Sequence, residues 1–209
     1  MKLKLIIFLV VLLGLNTTEV FSQEFSSRLW HSGWVVTMDR DTLRGEINYD
    51  IPTNSVQVMV TRQRQKKILT FSSKKLMYFQ IFDATLNNYR QFYSIPYQIR
   101  SDFKAPILFE ILYEGPLTLM LRERIVVESD PYQTFTSVGS SAGSIERLEY
   151  TYYFIDTKGK ITFYEGGKGE IYEIFKKNSD KVKEYIKKNK LSVEDMRDLV
   201  RITAFYNSL

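Results

Sequence analysis

Thr42-Leu43-Arg44-Gly45-Glu46-Ile47-Asn48-Tyr49 alternates strictly, with Leu43, Gly45, Ile47 and Tyr49 on one side of an extended chain and Arg44, Glu46 and Asn48 on the other. Successive side chains of a β-strand point to opposite faces, so a period of two sets one face against a core and the other toward water. The same pattern recurs from Gly33 to about Phe175, in segments rich in Val, Ile, Thr, Tyr and Phe. It predicts a mainly β protein, either an antiparallel sheet or a partly closed barrel.

Outward from this strand, Asp39-Arg40-Asp41 supplies the turn from Trp34 to Met38, and Val56, Val58 and Val60 continue the alternation on the other side. The polar run Arg62-Gln63-Arg64-Gln65-Lys66-Lys67 reads as an exposed hairpin loop before Ile68 to Phe71. Leu76 to Phe82 and Tyr89 to Ile95 flank the turn Thr85-Leu86-Asn87-Asn88, while Pro96 and Pro106 are expected to bracket an irregular link. Ile107 to Tyr113 and Leu117 to Arg122 carry apolar residues on both faces, which places them centrally in the sheet. Tyr150 to Ile155 and Lys160 to Glu165 surround Asp156-Thr157-Lys158-Gly159, a hairpin turn with Gly for the left-handed position. The Ser- and Gly-rich segment from Asp130 to Ser144 reads as a mobile loop. Gly166 to Gly169 marks a second break, and Ile171 to Phe175 reads as a last strand or as the lead into helices.

The period then changes. Asn178 or Ser179 can cap a helix with Val182, Tyr185 and Ile186 on one stripe, ended by Asn189-Lys190-Leu191. Ser192-Val193-Glu194-Asp195 resembles a capping box, and Met196, Leu199, Val200, Thr203 and Tyr206 follow at helical spacing, with Phe205 toward the polar side. The expected organisation is a signal peptide over residues 1–22, an antiparallel β domain over 23–175, and a C-terminal helical hairpin over 176–209 packed on the sheet as part of the same domain.

The signal-peptide reading rests on Met1-Lys2-Leu3-Lys4, the apolar stretch Leu5 to Leu15, and small Val20 and Ser22 at the positions a signal peptidase reads before Gln23. It implies export to the periplasm, the cell surface or the medium. Nothing after Gln23 is continuously apolar over membrane length, so no transmembrane segment is expected in the mature chain. The chain has no Cys, which excludes disulfides, thiolate metal sites and a lipid-modified cysteine. Net charge is +5, and +4 once Lys2, Lys4 and Glu19 leave, so weak contact with anionic envelope surfaces is expected rather than nucleic-acid binding. Arg62 to Lys67, and the seven Lys from Lys176 to Lys190, are the stretches that would make it.

Gly139-Ser140-Ser141-Ala142-Gly143 matches the G-x-S-x-G pattern of serine hydrolases, but no helix pattern follows it and the only His, His31, lies upstream. A triad of His31, Asp102 and Ser141 is formally open. One His makes no His-based metal cluster, and Asp39-Arg40-Asp41 lacks the spacing of a calcium loop. No catalytic, cofactor-binding or metal-binding residue is therefore assigned, and no cofactor is expected.

Gly33-Trp34-Val35-Val36 with Asp41-Thr42-Leu43-Arg44-Gly45-Glu46-Ile47, then Phe109-Glu110-Ile111-Leu112-Tyr113-Glu114-Gly115, and the closing Tyr206-Asn207, resemble uncharacterised exported β-rich proteins of Bacteroidota-type Gram-negative bacteria. The resemblance implies a compartment and a fold, and no functional residues.

Three functions fit these readings. The first is a non-enzymatic binding or interaction protein of the envelope. The second is a calycin-like carrier of an apolar small molecule, with Tyr132, Phe135 and the Ser/Gly-rich loop as a ligand-contacting lid. The third is a hydrolase, which requires two convergent carboxylates or contact between Ser141 and His31. N-terminal sequencing of the processed protein is expected to start within a residue or two of Gln23; a chain that keeps Met1 and sediments with membranes would refute export.

Overall fold

The computed structural model describes residues 25–129, apart from 51 and 63, and residues 144–209. Among them, ten strands form one antiparallel sheet: β1 (His31–Thr37), β2 (Thr42–Asp50), β3 (Ser55–Arg62), β4 (Gln65–Ser72), β5 (Leu76–Asp83), β6 (Asn88–Arg100), β7 (Phe103–Tyr113), β8 (Leu117–Ser129), β9 (Ser144–Asp156) and β10 (Ile161–Tyr164). Their order is β10-β9-β8-β7-β6-β5-β1-β2-β3-β4, and the sheet is not closed. Three helices follow: α1 (Lys168–Ile174), α2 (Ser179–Asn189) and α3 (Met196–Asn207). The alternation of residues 42–49 holds, with Ile47 and Tyr49 buried and Arg44 and Glu46 exposed. Gly33 and Gly45 face one another across β1 and β2, where a Cβ would collide with the carbonyl of Gln80 or of Met59.

Several connections are shorter than the sequence suggests. The Arg62 to Lys67 run is not a loop: Arg62 pairs with Gln65, and Arg64 turns the chain at a φ of 65°. Pro96 and Pro106 do not bracket an irregular link but lie opposite each other inside β6 and β7. Their missing N–H groups would point away from one another, toward β5 and β8, and both neighbours have already left the ladder there. Strands β8 and β9 extend past the expected Arg122 and Tyr150, to Ser129 and from Ser144, up to the ends of the segment read as a loop; residues 130–143 lie outside the described ones. Of the two readings of Ile171 to Phe175 the strand fails: Ile171 to Ile174 lie in α1, which begins at Lys168, and Phe175 caps its end. Gly166 and Gly167 break the chain at positive φ, and the Glu170 carboxylate accepts the N–H groups of Glu165 and Gly166.

Two hairpins project past their neighbours. β6–β7 runs on beyond the end of its pairing with β5 at Tyr93, and β8–β9 runs on beyond the end of its pairing with β7 at Leu121. The notch left between β7 and β8 is filled by the turn after β2. Asn54 carries the ladder there: its Oδ1 accepts Leu108 N–H at 3.0 Å and its Nδ2 donates to Pro106 O at 3.1 Å. The sheet thereby curls round a core of Val35, Ile47, Val56, Val58, Phe79, Ile81 and Phe92.

The helices cover β8 to β10, where Leu119, Phe154 and Tyr164 meet Ile171, Phe175, Val182, Ile186, Leu199 and Ile202. Lys190 ends α2 in the left-handed conformation, with Leu191 N–H returning to Ile186 O at 3.0 Å. The cap of α3 sits three residues later than the Ser192 box expected from sequence. Asp195 accepts Asp198 N–H at 3.0 Å, and the Asp198 carboxylate reaches back to Ser192 N–H at 2.8 Å. Phe205, on the polar side by spacing, is covered by Tyr185 stacked on it at 4.0 Å between ring centroids. Asn207 fixes the end of α3 to β8, its amide bonding both the N–H and the C=O of Leu117 at 2.9 and 2.8 Å.

Leu199 is fully buried in this layer, whereas Arg201 is exposed and pairs with Asp198. Leu199→Ala is expected to cost roughly 2 to 5 kcal/mol and Arg201→Ala less than about 0.5 kcal/mol in urea melts. Equal effects would mean that α3 does not dock.

Candidate functional site

The densest chemistry in the fold lies inside the curl. Arg90 stands on β6 two residues before Phe92, so the alternation that buries Phe92 sends the guanidinium inward too. It meets Glu110 from β7 through two parallel bonds, Nε to Oε1 at 2.9 Å and Nη2 to Oε2 at 2.6 Å. Nη2 also reaches Glu123 of β8 at 2.5 Å, and Nη1 reaches the Tyr49 hydroxyl of β2 at 3.0 Å and Asp83 of β5 at 3.2 Å. Tyr49 donates its own proton to Glu123 at 2.9 Å. Asp83 accepts the Ser26 hydroxyl at 2.5 Å and the N–H groups of Thr85 and Leu86. The Tyr49 and Phe92 rings lie 5.7 and 5.1 Å from the guanidinium carbon. Side-chain exposure is 3% for Arg90 and no more than 9% for any of its three carboxylate partners.

Three carboxylates against one cation in so dry a place must respond electrostatically. Burial pushes the Glu110 carboxyl above its ordinary value even though Arg90 pulls it down. Burial works the same way on Asp83, but the Ser26 hydroxyl, Leu86 N–H and Arg90 outweigh it and hold that carboxyl low. Burial also raises Tyr49. For Arg90, burial favours the neutral form, yet the bonds and charge of Glu110 reverse this and hold the guanidinium protonated.

Glu110 and Glu123 are convergent carboxylates of the kind a hydrolase needs, but the guanidinium fills the space between them and solvent does not reach it. His31 lies nearby, buried at the start of β1, with Nε2 2.8 Å from Ser26 O and 3.3 Å from Ser26 Oγ. A carbonyl only accepts, so Nε2 carries the proton and cannot take one from Ser26, whose hydroxyl already serves Asp83. Ser26, His31 and Asp83 meet without the bonding that activates a nucleophile. Of the triad open by sequence, Asp102 lies in the exposed turn between β6 and β7, and Ser141 lies outside the described residues. Tyr132 and Phe135, the lid residues of the carrier reading, also lie outside them. Among the described residues, no cluster of three or more His, Asp or Glu is arranged to hold a metal ion.

Beside the cluster, Tyr49, Phe79, Phe92, Leu108 and Leu121 border a cavity of about 30 Å³. An open groove of about 490 Å³ runs along β8 from Arg122 to Ile125, walled by Pro52, Tyr153 and Phe163. The sequence held one signal for the cluster: Glu110 stands in the apolar run Phe109-Glu110-Ile111-Leu112 of a strand assigned to the sheet centre, where a charge needs a partner.

Arg90→Met would leave the buried carboxyls without their cation and is expected to cost roughly 3 to 5 kcal/mol at pH 7. Glu110, its pKa raised further, would contribute stability below its unfolded value near 4.5 that is lost as pH rises through the folded value. The variant's deficit in urea melts should therefore shrink from pH 7 to pH 5. A deficit of the same size at both values would refute this account of the cluster.

No family model, curated protein or solved structure matches the chain.

Proposed function

We propose that the protein is a non-enzymatic binding protein of the cell envelope, which meets its partner on the two projecting hairpins rather than in an interior pocket. The observation that carries this reading is the apolar surface of those hairpins. Val127 and Tyr150, 65% and 44% exposed, share one face of the β8–β9 arm with half-buried Ile125 and Leu148 and with Glu146, which stands opposite Val127. Ile99 and Phe103, near the tip of β6–β7, are each about half exposed. Apolar side chains grouped on a projecting element mark a surface that another molecule covers.

The interior supports the same reading. Among the described residues, every buried side-chain polar atom has a partner. The cavity beside Tyr49 inside the curl has room for a water molecule or two, and the spaces of small-molecule size, about 550 and 490 Å³, are open surface grooves beside the helices and along β8.

A photo-crosslinking amino acid placed at Val127 or Phe103 in the cell that makes the protein is expected to give a discrete adduct, while the same group at exposed Lys181 gives none. Absence of adducts at both hairpins, with saturable one-to-one binding of an apolar fluorophore by the purified protein, would transfer the assignment to the carrier.

A further inference from the structure

β4 ends the sheet, and its outer edge is unpaired among the described residues. It pairs with β3 over eight residues without a register shift, from Ser55↔Ser72 to Arg62↔Gln65. In an antiparallel hairpin closed by two residues, the pair flanking the turn exchanges both of its backbone bonds, and every second residue repeats this. Gln65, Lys67, Leu69 and Phe71 therefore bond to β3, whereas Lys66, Ile68 and Thr70 aim their N–H and C=O groups outward.

Such an edge is a template for another strand, and proteins usually blunt it with proline, a bulge, brevity or charged side chains, Lys above all. β4 has no proline, bulge or brevity, only Lys66 and Lys67. The opposite edge, β10, is four residues long.

What β4 has is charge. From Ile51 to Phe82 the sequence carries Arg62, Arg64, Lys66, Lys67, Lys74 and Lys75 and no Asp or Glu. All six cations are exposed, and none forms an ion pair among the described residues. The chain's net charge is +5, so with +6 in this stretch the remainder nets −1. A second copy of β4 would bring the same cations against these, and like charges on adjacent strands repel. A strand rich in carboxylates meets the opposite condition.

We propose that the β4 edge takes an extended, acidic segment of a partner polypeptide by strand addition. The ladder forms on Lys66, Ile68 and Thr70, and the carboxylates lie along Arg62, Arg64, Lys66 and Lys67. This rests on the reading of the chain as a binding protein, but on a surface separate from the hairpins.

The test is fluorescence anisotropy with the purified protein and a labelled twelve-residue peptide alternating Glu and Thr. Saturable binding is expected, at least about tenfold weaker for a peptide of equal charge with Pro at alternate positions, which cannot form the ladder. Thr70→Pro, which removes an outward N–H and leaves the β3 bonds intact, should weaken the Glu-Thr peptide to a similar degree, and Lys66→Glu with Lys67→Glu should abolish its binding. The proline peptide on wild-type protein tests the ladder even if Thr70→Pro fails to fold. Equal affinity for the two peptides would mean charge attraction alone, as for any anionic polymer, and would overturn strand addition; so would no binding. Loss of peptide binding with crosslinking at Val127 intact removes this edge and leaves the hairpin surface standing.

Discussion

A single guanidinium holds the curl of the sheet. Arg90 joins side chains from β2, β5, β7 and β8, and β2 and β8 stand five places apart in the sheet order. A flat sheet would keep those strands more than 20 Å apart at about 4.8 Å per strand, so bonds to one side chain fix how far the sheet must roll. The driving force for rolling is the burial of Val35, Ile47, Phe79, Phe92 and their neighbours. The charges add direction rather than net stability, since taking a guanidinium and its carboxyl partners out of water costs about what their attraction returns. Apolar residues alone would accept many degrees of curl, whereas five donors in a rigid fork accept few.

Where strand pairing stops, side-chain amides continue it. Asn54 presents a carbonyl and an NH₂ to β7 at the point where β8 has turned away, so the exposed ladder of Pro106 and Leu108 finds partners without a strand. Asn207 does the same for Leu117 at the end of α3. An amide supplies donor and acceptor in the spacing of a peptide group, which few other side chains do. The notch filled by Asn54 lets β8–β9 diverge from β7 without leaving a raw edge, and the divergence is what thrusts both hairpins into solvent. The proposed binding surface is thus a consequence of how the sheet ends its own pairing.

Strands with one wet face were legible in the sequence because their period is local: residues 42–49, the Val56 to Val60 run and the Gly159 hairpin needed nothing beyond their neighbours. α1 was ambiguous, since a short apolar run such as Ile171 to Phe175 fits either period. The far halves of β8 and β9 were missed because Arg122-Glu123-Arg124 reads as a solvated end, and only the third dimension shows Glu123 turned into the curl while Arg124 pairs with Glu149 across the strands. Arg90 was missed for a related reason. Alternation was read with water on the polar side, but Arg90 and Phe92 share a face, and a charge on a buried face is intelligible only with Glu110 and Glu123 beside it.

A modest net charge concealed how the charges are distributed. On the β8–β9 arm, Arg124 pairs with Glu149, Arg147 with Glu128 and Glu149, and Arg28 with Glu146, so charge there is spent within the fold. On β4 and its flanks no ion pair answers it among the described residues. Exposed ion pairs each contribute little, so pairing on the arm is no great source of stability, and its absence on β4 is no great loss. What differs is the field each surface presents to an approaching molecule. Beside the arm the potential of opposite charges cancels within a few ångströms. Along β4 the potentials of Arg62, Arg64, Lys66 and Lys67 add, over a distance comparable with the roughly 8–10 Å screening length of physiological salt. The sheet therefore presents exposed apolar side chains among paired charges on the β8–β9 arm, and unpaired cations along β4, the last strand in its order.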